Sequence, residues 1–383
     1  MKWSREEART YLVNYHMINT ATKPNVEAVF ERLQSIQFDP LNVVGHNSDL
    51  VLQSRVKNYK KDELKKHLYT HRSLIDGWDK QMCIYQSKDF LRFTPIRDNR
   101  AAISAAGYKK YHNMDAKKLN EEVLSIIDEK GPIMSSQIKL GESRKSRWGV
   151  SKESGASIDY LFHKGVIGVD SRNNTHKKYD LMHKLLSTES FHDPIADEDA
   201  FIDWYLLRRI KSLGLCTNGS GVHFSGLHIN NKKTRTKHIK RLINQGLVQD
   251  VEVDGIGTLY VPKEALDYPV KLVDRISFIA PLDNIIWDRN LMAKLWDFDY
   301  IWEVYTPLSK RKWGYYVLPI LKGNKIIGRI EFEKHRRNDK LNIISTSFLP
   351  NIKRTKKLEK AMNVALRRFA KYLGAMDVQA FEF

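Results

Sequence analysis

The sequence predicts an α+β fold in which repeated helix–helix–hairpin units precede a strand-rich C-terminal domain. Two observations carry this prediction. Three segments before about residue 270 share one plan: a helix with an apolar stripe, a break, and two strands around a polar turn. The remainder is rich in aromatic and β-branched residues and closes with an amphipathic helix. With 383 residues, the chain is too long for one hydrophobic core, so we expect several domains.

The first copy is the least regular of the three. Its apolar helical stripe is formed by Val26, Val29, Phe30 and Leu33. The following stretch "IQFDPLNVVGHNSDLVLQSRV", residues 36–56, is interpreted as the strand pair, and residues 60–115 as mostly helical. We expect residues 1–115 to form the first domain, with a helical extension.

The second and third copies keep the plan more clearly. In the second, residues 116–192, Gly165 separates an apolar helical stripe from "VIGVDSRNNTHKKYDL", which predicts two strands around a polar turn. In the third, residues 193–268, Gly246 suits the left-handed residue that ends a helix. The stretch "LVQDVEVDGIGTLYV" then predicts a hairpin with Asp254 and Gly255 in its turn.

Helix, turn, second helix and two-stranded wing are the plan of the winged helix, a variant of the helix-turn-helix. We therefore predict tandem winged helix-turn-helix domains followed by a strand-rich domain over residues 269–383. In that last domain, strands are expected in "ISFIAPLDNIIWDR", "DYIWEVY", "KWGYYVLPIL" and "KIIGRIEFEK". The closing helix is expected to end at Gly374 and to pack against them.

Charge is the strongest signal in the composition. Lys and Arg total 64 against 45 Asp and Glu, a formal net charge of +19. This excess indicates a polyanionic partner, and we favour nucleic acid over an anionic membrane surface. A basic background shared by all proteins of the cell is the alternative. Two cysteines, no signal-peptide core and no apolar run near roughly 20 residues indicate the cytoplasm.

The second helix of the third copy carries a cluster that is entirely basic. Lys233, Lys237 and Arg241 fall at positions i, i+4 and i+8 and so form one ridge, and Arg235 belongs to the same run. Because the second helix of a winged helix enters a DNA groove, we interpret this cluster as a DNA or RNA contact. The alternative is a solvated helix face.

The stretch Ile36-Gln37-Phe38-Asp39-Pro40 alternates apolar and polar residues, as a half-buried strand does. In a strand, Gln37 and Asp39 would share a face about 6.6 Å apart. They are either the open side of an edge strand that Pro40 blunts, or a site that hydrolyses an N-glycosidic bond. In such a site a carboxylate stabilises the oxocarbenium-like transition state and takes a proton from water, while an amide positions that water.

Three blocks of the sequence together resemble a known family, the AlkZ/YcaQ-type DNA glycosylases that unhook interstrand crosslinks. They are "LQSIQFDPLNVVGHNSDLVLQSRV", "IAPLDNIIWDR" and "YIWEVYTPLSKRKWGYYVLPIL". The resemblance extends over most of the chain, although residues 115–270 match in plan more than in residues. Gln37-Phe38-Asp39 is similar to the Gln-apolar-Asp motif of the YcaQ (AlkX) branch, which implies that Gln37 and Asp39 are catalytic.

The resemblance also implies a monofunctional glycosylase that acts on N7-alkylated purines and needs neither metal nor cofactor. Its partner would be double-stranded DNA with alkylated or crosslinked guanine. Residues expected to contact DNA in the first and third blocks are His46, Asn47, Gln53, Arg55, Lys310, Arg311 and Lys312.

The last three cations are expected at a turn between two strands, either solvated or touching the duplex. We expect a monomer without a membrane partner, associated with the nucleoid in the cytoplasm of a bacterial-type cell. The competing function is a non-catalytic winged-helix transcription regulator or DNA-binding protein.

Overall fold

The structure is a computed structural model that describes residues 1–21, 23–146, 149–173, 175–187, 191–334 and 339–383. The chain divides into two compact units: Met1–Leu64 with Ile202–Phe383, called the first unit, and Lys65–Phe201, called the second unit. The division after Leu64 falls inside the predicted domain 1–115, and the four predicted domains stay a prediction. Among the described residues, no helix combines the length and the apolar character that crossing a membrane requires.

Helices and short strands alternate along the chain, as an α+β fold requires. The helices are α1 Arg5–Tyr15, α2 Val26–Leu33, α3 Asn47–Gln53, α4 Lys61–Tyr69, α5 Thr94–His112, α6 Asn120–Lys130, α7 Glu153–Lys164, α8 Met182–Leu185, α9 Glu198–Leu213, α10 Lys232–Asn244, α11 Arg289–Trp296 and α12 Lys356–Leu373. The strands are β1 Lys2–Trp3, β2 Ser35–Gln37, β3 Leu74–Trp78, β4 Met82–Gln86, β5 Ile133–Met134, β6 Ser143–Ser146, β7 Gly149–Lys152, β8 Ile167–Asn173, β9 His176–Leu181, β10 Val248–Val253, β11 Gly257–Pro262, β12 Ile276–Phe278, β13 Val317–Lys322, β14 Lys325–Phe332, β15 Lys340–Leu341, β16 Ile343–Phe348 and β17 Asp377–Val378.

The first unit has a large apolar cluster where α1, the hairpin β10–β11 and α11 meet. Leu12 of α1, Val251 of β10 and Leu291 of α11 are buried members of it. Ser4 begins α1 with a capping box, because its Oγ accepts from the Glu7 N–H while its own N–H donates to the Glu7 carboxylate. Helix α1, the hairpin β10–β11 and the segment after residue 270 therefore share one core.

The elements of the third copy are found where the sequence predicts them. Helices α9 and α10 precede the antiparallel hairpin β10–β11, whose last paired residues are Val253 and Gly257. Gly255 in the turn has a φ of +69°, and Gly246 after α10 has a φ of +71°. Glycine adopts these left-handed conformations without the strain that a Cβ would cause.

The C-terminal sheet has the strand order β12-β13-β14-β16 and is antiparallel throughout. Helix α12 packs against it as predicted: the Phe369 ring lies 5.3 Å from that of Phe278 on β12 and 5.2 Å from that of Phe332 on β14. The helix begins after the N-cap Thr355 and ends at Gly374, whose φ of +71° confirms the predicted end.

The second unit contains the second copy with additions that the sequence did not predict. Helices α6 and α7, the left-handed Gly165 and the hairpin β8–β9 follow the predicted order, and β5 pairs with β9. Their apolar core includes Val123 of α6, Leu161 of α7 and Val169 of β8. A further hairpin, β6–β7, lies between the two helices.

Two predicted elements are wrong, and a third is incomplete. The second strand expected in residues 36–56 is helix α3. The sequence did not distinguish the two, because Leu50, Val51 and Leu52 are all fully buried and a short, wholly buried apolar run has no distinguishing period. Residues 60–115 contain the hairpin β3–β4 besides helices α4 and α5. "DYIWEVY" has no strand, since side chains hold its backbone instead: Arg289 Nη1 donates to the Tyr300 carbonyl at 2.9 Å.

Candidate active site

Gln37 and Asp39 lie at the end of strand β2, and not on one strand face as predicted. The strand ends at Gln37, so Phe38 and Asp39 belong to the loop 38–46, called the catalytic loop. Asp39 Oδ1 accepts a hydrogen bond at 2.9 Å from the N–H of Leu41, which folds the chain back on itself. Both candidate side chains are half-buried. The predicted 6.6 Å strand spacing therefore does not apply, although Gln37 and Asp39 lie in the same short segment of the chain.

Two buried asparagines hold strand β2 in place. Asn47 Nδ2 donates to the Gln37 carbonyl at 2.7 Å, and Asn47 Oδ1 accepts from the N–H of Leu282 at 3.0 Å. Asn284 Nδ2 donates to the Ser35 carbonyl at 2.9 Å. Asn47 is 1% exposed, so the prediction that it contacts DNA is wrong: its amide is used to position the backbone of Gln37.

The block 279–289 is joined to α3 by a buried ion pair. Arg55 Nη2 and Nη1 donate to the two carboxylate oxygens of Asp283 at 2.7 and 2.8 Å, and both side chains are fully buried. Arg55 Nε also donates to the His16 carbonyl at 2.8 Å. Burial, together with the neighbouring Arg55 charge, lowers the pKa of His16 to about 3, so its imidazole is neutral. Arg55 cannot reach DNA, and its predicted role as a DNA contact is wrong.

The two remaining candidates of the first sequence block, His46 and Gln53, are half-buried. His46 occupies the N-cap position of α3, and its ring stacks on Phe38 with centroids 6.1 Å apart. Gln53 Nε2 donates to the carbonyls of Leu50 and Phe278, which ties the end of α3 to β12. Contact of His46 and Gln53 with DNA stays a prediction, and for Gln53 it would involve the amide oxygen.

Burial raises the pKa of Asp39 above its ordinary value, and this effect exceeds the opposing influence of the Leu41 N–H and of His46. A carboxylate with a raised pKa is a stronger base than one in water. The site therefore holds a carboxylate suited to taking a proton, two residues along the chain from an amide that can hold a water molecule.

Tyr316 is a neighbour of Asp39 that the sequence interpretation missed. It is 2% exposed, and burial, followed by the charges of Tyr300 and Asp39, raises the pKa of its phenol far above the ordinary value. The phenol thus stays protonated and can donate. No periodic signal distinguishes Tyr316 from the aromatic residues around it.

Two buried carboxylates hold the chain that leads to Tyr316. Glu303 accepts from the N–H groups of Lys312 and Trp313 at 2.7 Å each and of Gly314 at 3.2 Å. Glu331 Oε1 accepts from the next two N–H groups, those of Tyr315 and Tyr316, at 2.6 and 2.9 Å. Burial acts to raise the pKa of Glu303, but the three N–H donors outweigh it and hold the pKa below its usual range. The acids Glu303 and Glu331, inside the apolar runs "DYIWEVY" and "RIEFEK", were the available signal, because unpaired acids are rarely buried.

The three adjacent cations lie just before strand β13 and not between two strands. The first of them, Lys310, ends a single 3-10 turn, Leu308–Lys310, and the other two follow that turn. Lys310 and Lys312 are exposed, whereas Arg311 is half-buried and donates from Nε to the Thr306 carbonyl at 2.8 Å. The rigid backbone below them presents the two lysines outward, and their contact with DNA stays a prediction.

The ridge on α10 is smaller than predicted. Lys233 and Lys237 are exposed, but Arg241 is held by Asp203, with 2.9 Å between Nε and Oδ2. Arg235 is fully buried, so its predicted DNA contact is wrong. Its guanidinium donates to four backbone carbonyls of the preceding loop, those of Asn218, Gly219, Ile229 and Asn230. Position 235 lies four residues before Ile239 and seven before Leu242, on the apolar stripe, and this spacing could have revealed it.

Comparison with known proteins places these features in a family. The model of the family described as "DNA glycosylase AlkZ-like" matches residues 30–372. Among solved structures, the Streptomyces sahachiroi DNA glycosylase AlkZ is similar in fold, with a TM-score of 0.67 and 14% sequence identity. The similarity covers 99% of this chain and 100% of that one. The matched residues include the catalytic loop, helix α10 and both carboxylates that hold the chain before β13.

Proposed function

The chain belongs to the AlkZ-like DNA glycosylase family, and we propose that it excises N7-alkylated purines, including guanines in interstrand crosslinks. DNA glycosylases act in DNA repair by hydrolysing the bond between a base and its sugar. The proposed enzyme is monofunctional, so water is the nucleophile and the DNA strand stays intact.

In the proposed reaction, Asp39 takes a proton from the attacking water. The water oxygen forms a bond to C1′ as the C1′–N9 bond breaks, and the electrons of that bond leave with the base. The negative charge of Asp39 stabilises the oxocarbenium character of the sugar in the transition state. Gln37 holds the water in line, since its amide can donate and accept at once.

The observation that carries the proposal is the half-buried Asp39, with its raised pKa, beside Gln37 at a strand end held by Asn47 and Asn284. Such a carboxylate can act as base without a second acid if the leaving group needs no proton. An N7-alkylated purine is already cationic and leaves as a neutral base. The chemistry of the site therefore favours this class of lesion.

Crosslinked guanine is proposed as a substrate because the enzyme need not swing it into a deep pocket. A crosslinked base is tethered to the opposite strand and cannot be flipped in the usual way. Gln37 and Asp39 are only half-buried, at a loop, which supports attack at the duplex surface. The exposed Lys310 and Lys312 would then hold the strand by its phosphates.

We further propose that the protein acts as a monomer on nucleoid DNA in the cytoplasm and needs no cofactor. The exposed Lys233 and Lys237 on α10 would bind the duplex. His46 and Gln53, beside the catalytic loop, would contact the DNA near the damaged base.

Release of the free base tests the proposal directly. The full-length chain is incubated with duplex DNA that contains 7-methylguanine, and the free base is measured by mass spectrometry. Release of 7-methylguanine without strand cleavage is expected. A parallel reaction with an N7–N7 guanine crosslink should yield separated strands. Tight binding of both duplexes without release would favour the non-catalytic regulator instead.

A further inference from the structure

The exposed face of helix α12 carries a row of cations. Lys357, Lys360, Arg367 and Lys371, called the α12 stripe, follow one another at intervals of three, seven and four residues. Side chains at such intervals lie on the same helix face, and all four are exposed. Only Val364 interrupts the row, so the face is basic over almost its whole length.

Among the described residues, no acid pairs with the cations of the stripe. The one acid of α12, Glu359, pairs with Lys356, which lies outside the stripe, at 3.2 Å. Within the part of the chain that the structure describes, none of the four stripe side chains has a hydrogen-bond or ion-pair partner. Four like charges within one helix face repel each other and cost stability. An external polyanion would remove that cost.

One end of the stripe lies beside the catalytic loop. Tyr372 follows the last stripe residue, and its hydroxyl approaches Gly45 so closely that a Cβ there would collide with it. Gly45 belongs to the catalytic loop, which also contains Asp39 and His46. The Tyr372 ring stacks on Tyr59 with centroids 6.2 Å apart, which fixes its position. The C-terminal end of α12 therefore contacts the loop that carries Asp39.

We propose that the α12 stripe binds the phosphates of the duplex on one side of the damaged base. This inference rests on the proposed function, because it takes duplex DNA as the substrate. From Lys357 to Lys371 the helix rises about 21 Å, at 1.5 Å per residue. That length corresponds to about six base pairs, at 3.4 Å per phosphate along one strand. The stripe contacts phosphates and so carries no sequence preference.

An anionic membrane fits this helix less well than DNA does. A helix that lies on a membrane inserts its apolar face into the lipid. The apolar face of α12 is instead buried in the core of the first unit, where Met362, Leu366 and Phe369 are almost fully covered. Val364 alone cannot supply an insertion surface.

Salt-dependent binding to undamaged duplex DNA tests the inference. The variant combines Lys357→Gln, Lys360→Gln and Arg367→Gln and leaves Lys371 in place next to Tyr372. Each lost phosphate contact lowers the slope of log K against log salt by about 0.9, so the slope should fall by up to about 2.7. The matched control combines Lys357→Arg, Lys360→Arg and Arg367→Lys, keeps every charge, and should retain the wild-type slope.

The length of the DNA provides the second measurement. Shortening the duplex by about six base pairs on one side of a 7-methylguanine should weaken binding of the wild type but not of the Gln variant. An unchanged salt slope in a Gln variant that unfolds at the wild-type temperature would overturn the inference. The inference would also be overturned if the Gln variant lost binding to phosphatidylserine vesicles while its DNA binding stayed unchanged.

These outcomes are separable from failure of the proposed function. Binding to undamaged DNA requires no excision, so the slope can be measured whether or not the wild type releases a base. A wild type that binds duplex DNA through the stripe but never releases 7-methylguanine would contradict the proposed function alone. A wild type that excises the base and loses none of its salt slope in the Gln variant would contradict the stripe alone.

Discussion

The catalytic loop and helix α10 use polar residues in opposite ways. Around the loop, buried polar side chains hold the backbone: Asn47, Asn284 and the Arg55–Asp283 pair each hold a particular backbone segment. On α10, Lys233 and Lys237 are exposed. Substitutions near the loop should therefore have large and specific effects, whereas those on α10 should have small effects that add together.

Arginine is the residue type that obscures this difference in the sequence. Arg235 lies in the basic run of α10 but is buried like the residues around the loop, and Arg241 is paired with Asp203. Its planar guanidinium can satisfy several carbonyls or a carboxylate at once, which suits it to buried positions. A basic run therefore overstates the number of groups available to DNA.

Replacing the proposed base should have the largest effect on activity. Asp39→Asn keeps the shape of the side chain but loses the charge and the ability to take a proton. Excision of 7-methylguanine under single-turnover conditions should slow by about 10²- to 10⁴-fold, with DNA affinity nearly unchanged. A rate within about threefold of the wild type would remove Asp39 from the mechanism.

Breaking the buried ion pair should have the largest effect on stability. Asp283→Ala leaves the Arg55 guanidinium buried without its carboxylate, which should lower the free energy of unfolding by about 3–5 kcal/mol. Urea unfolding measures this loss. The double variant Arg55→Met with Asp283→Leu removes both charges and should recover most of it. Equal stability of the single variant and the wild type would show that the pair does not hold the block 279–289.

Gln37→Ala should slow excision less than Asp39→Asn does. Gln37 positions the water but carries no charge to stabilise the transition state. The backbone of Gln37 is held through its carbonyl by Asn47, so the alanine variant should fold normally. Single-turnover rates of the two variants, measured on the same duplex, give the order. Full activity of Gln37→Ala would leave the water-positioning role without support.

The exposed lysines of α10 should give the smallest effect. Replacing Lys233 and Lys237 with Gln should reduce the salt slope of DNA binding by about 1.8, because two phosphate contacts are lost. The excision rate at saturating enzyme should be unchanged. Lys233→Arg with Lys237→Arg is the charge-matched control. If the slope does not change, these lysines lie away from the duplex.

The sequence predicted regular elements well where their period and end signals agree. Helix α12 with Gly374 and the hairpin around Gly255 are examples. It failed at α3, where Leu50, Val51 and Leu52 are buried on every side and leave no period to detect. The strand pattern raised Gln37 and Asp39 as candidates, although the strand ends at Gln37, and the family resemblance then implied their catalytic role. Tyr316 could not be predicted, because its role depends on contacts between segments far apart in the chain.

The pH dependence of excision tests the central claim, that the Asp39 carboxylate is the base, most directly. Single-turnover rates on 7-methylguanine duplex are measured across about pH 4 to 8. Only the ionised form takes a proton, so the wild-type rate should fall as pH decreases through the pKa of Asp39. Burial raises that pKa, so the midpoint should lie above the ordinary value of 3.8. Asp39→Asn should show no such fall. A wild-type rate that does not change with pH, or the same fall in Asp39→Asn, would contradict the assignment.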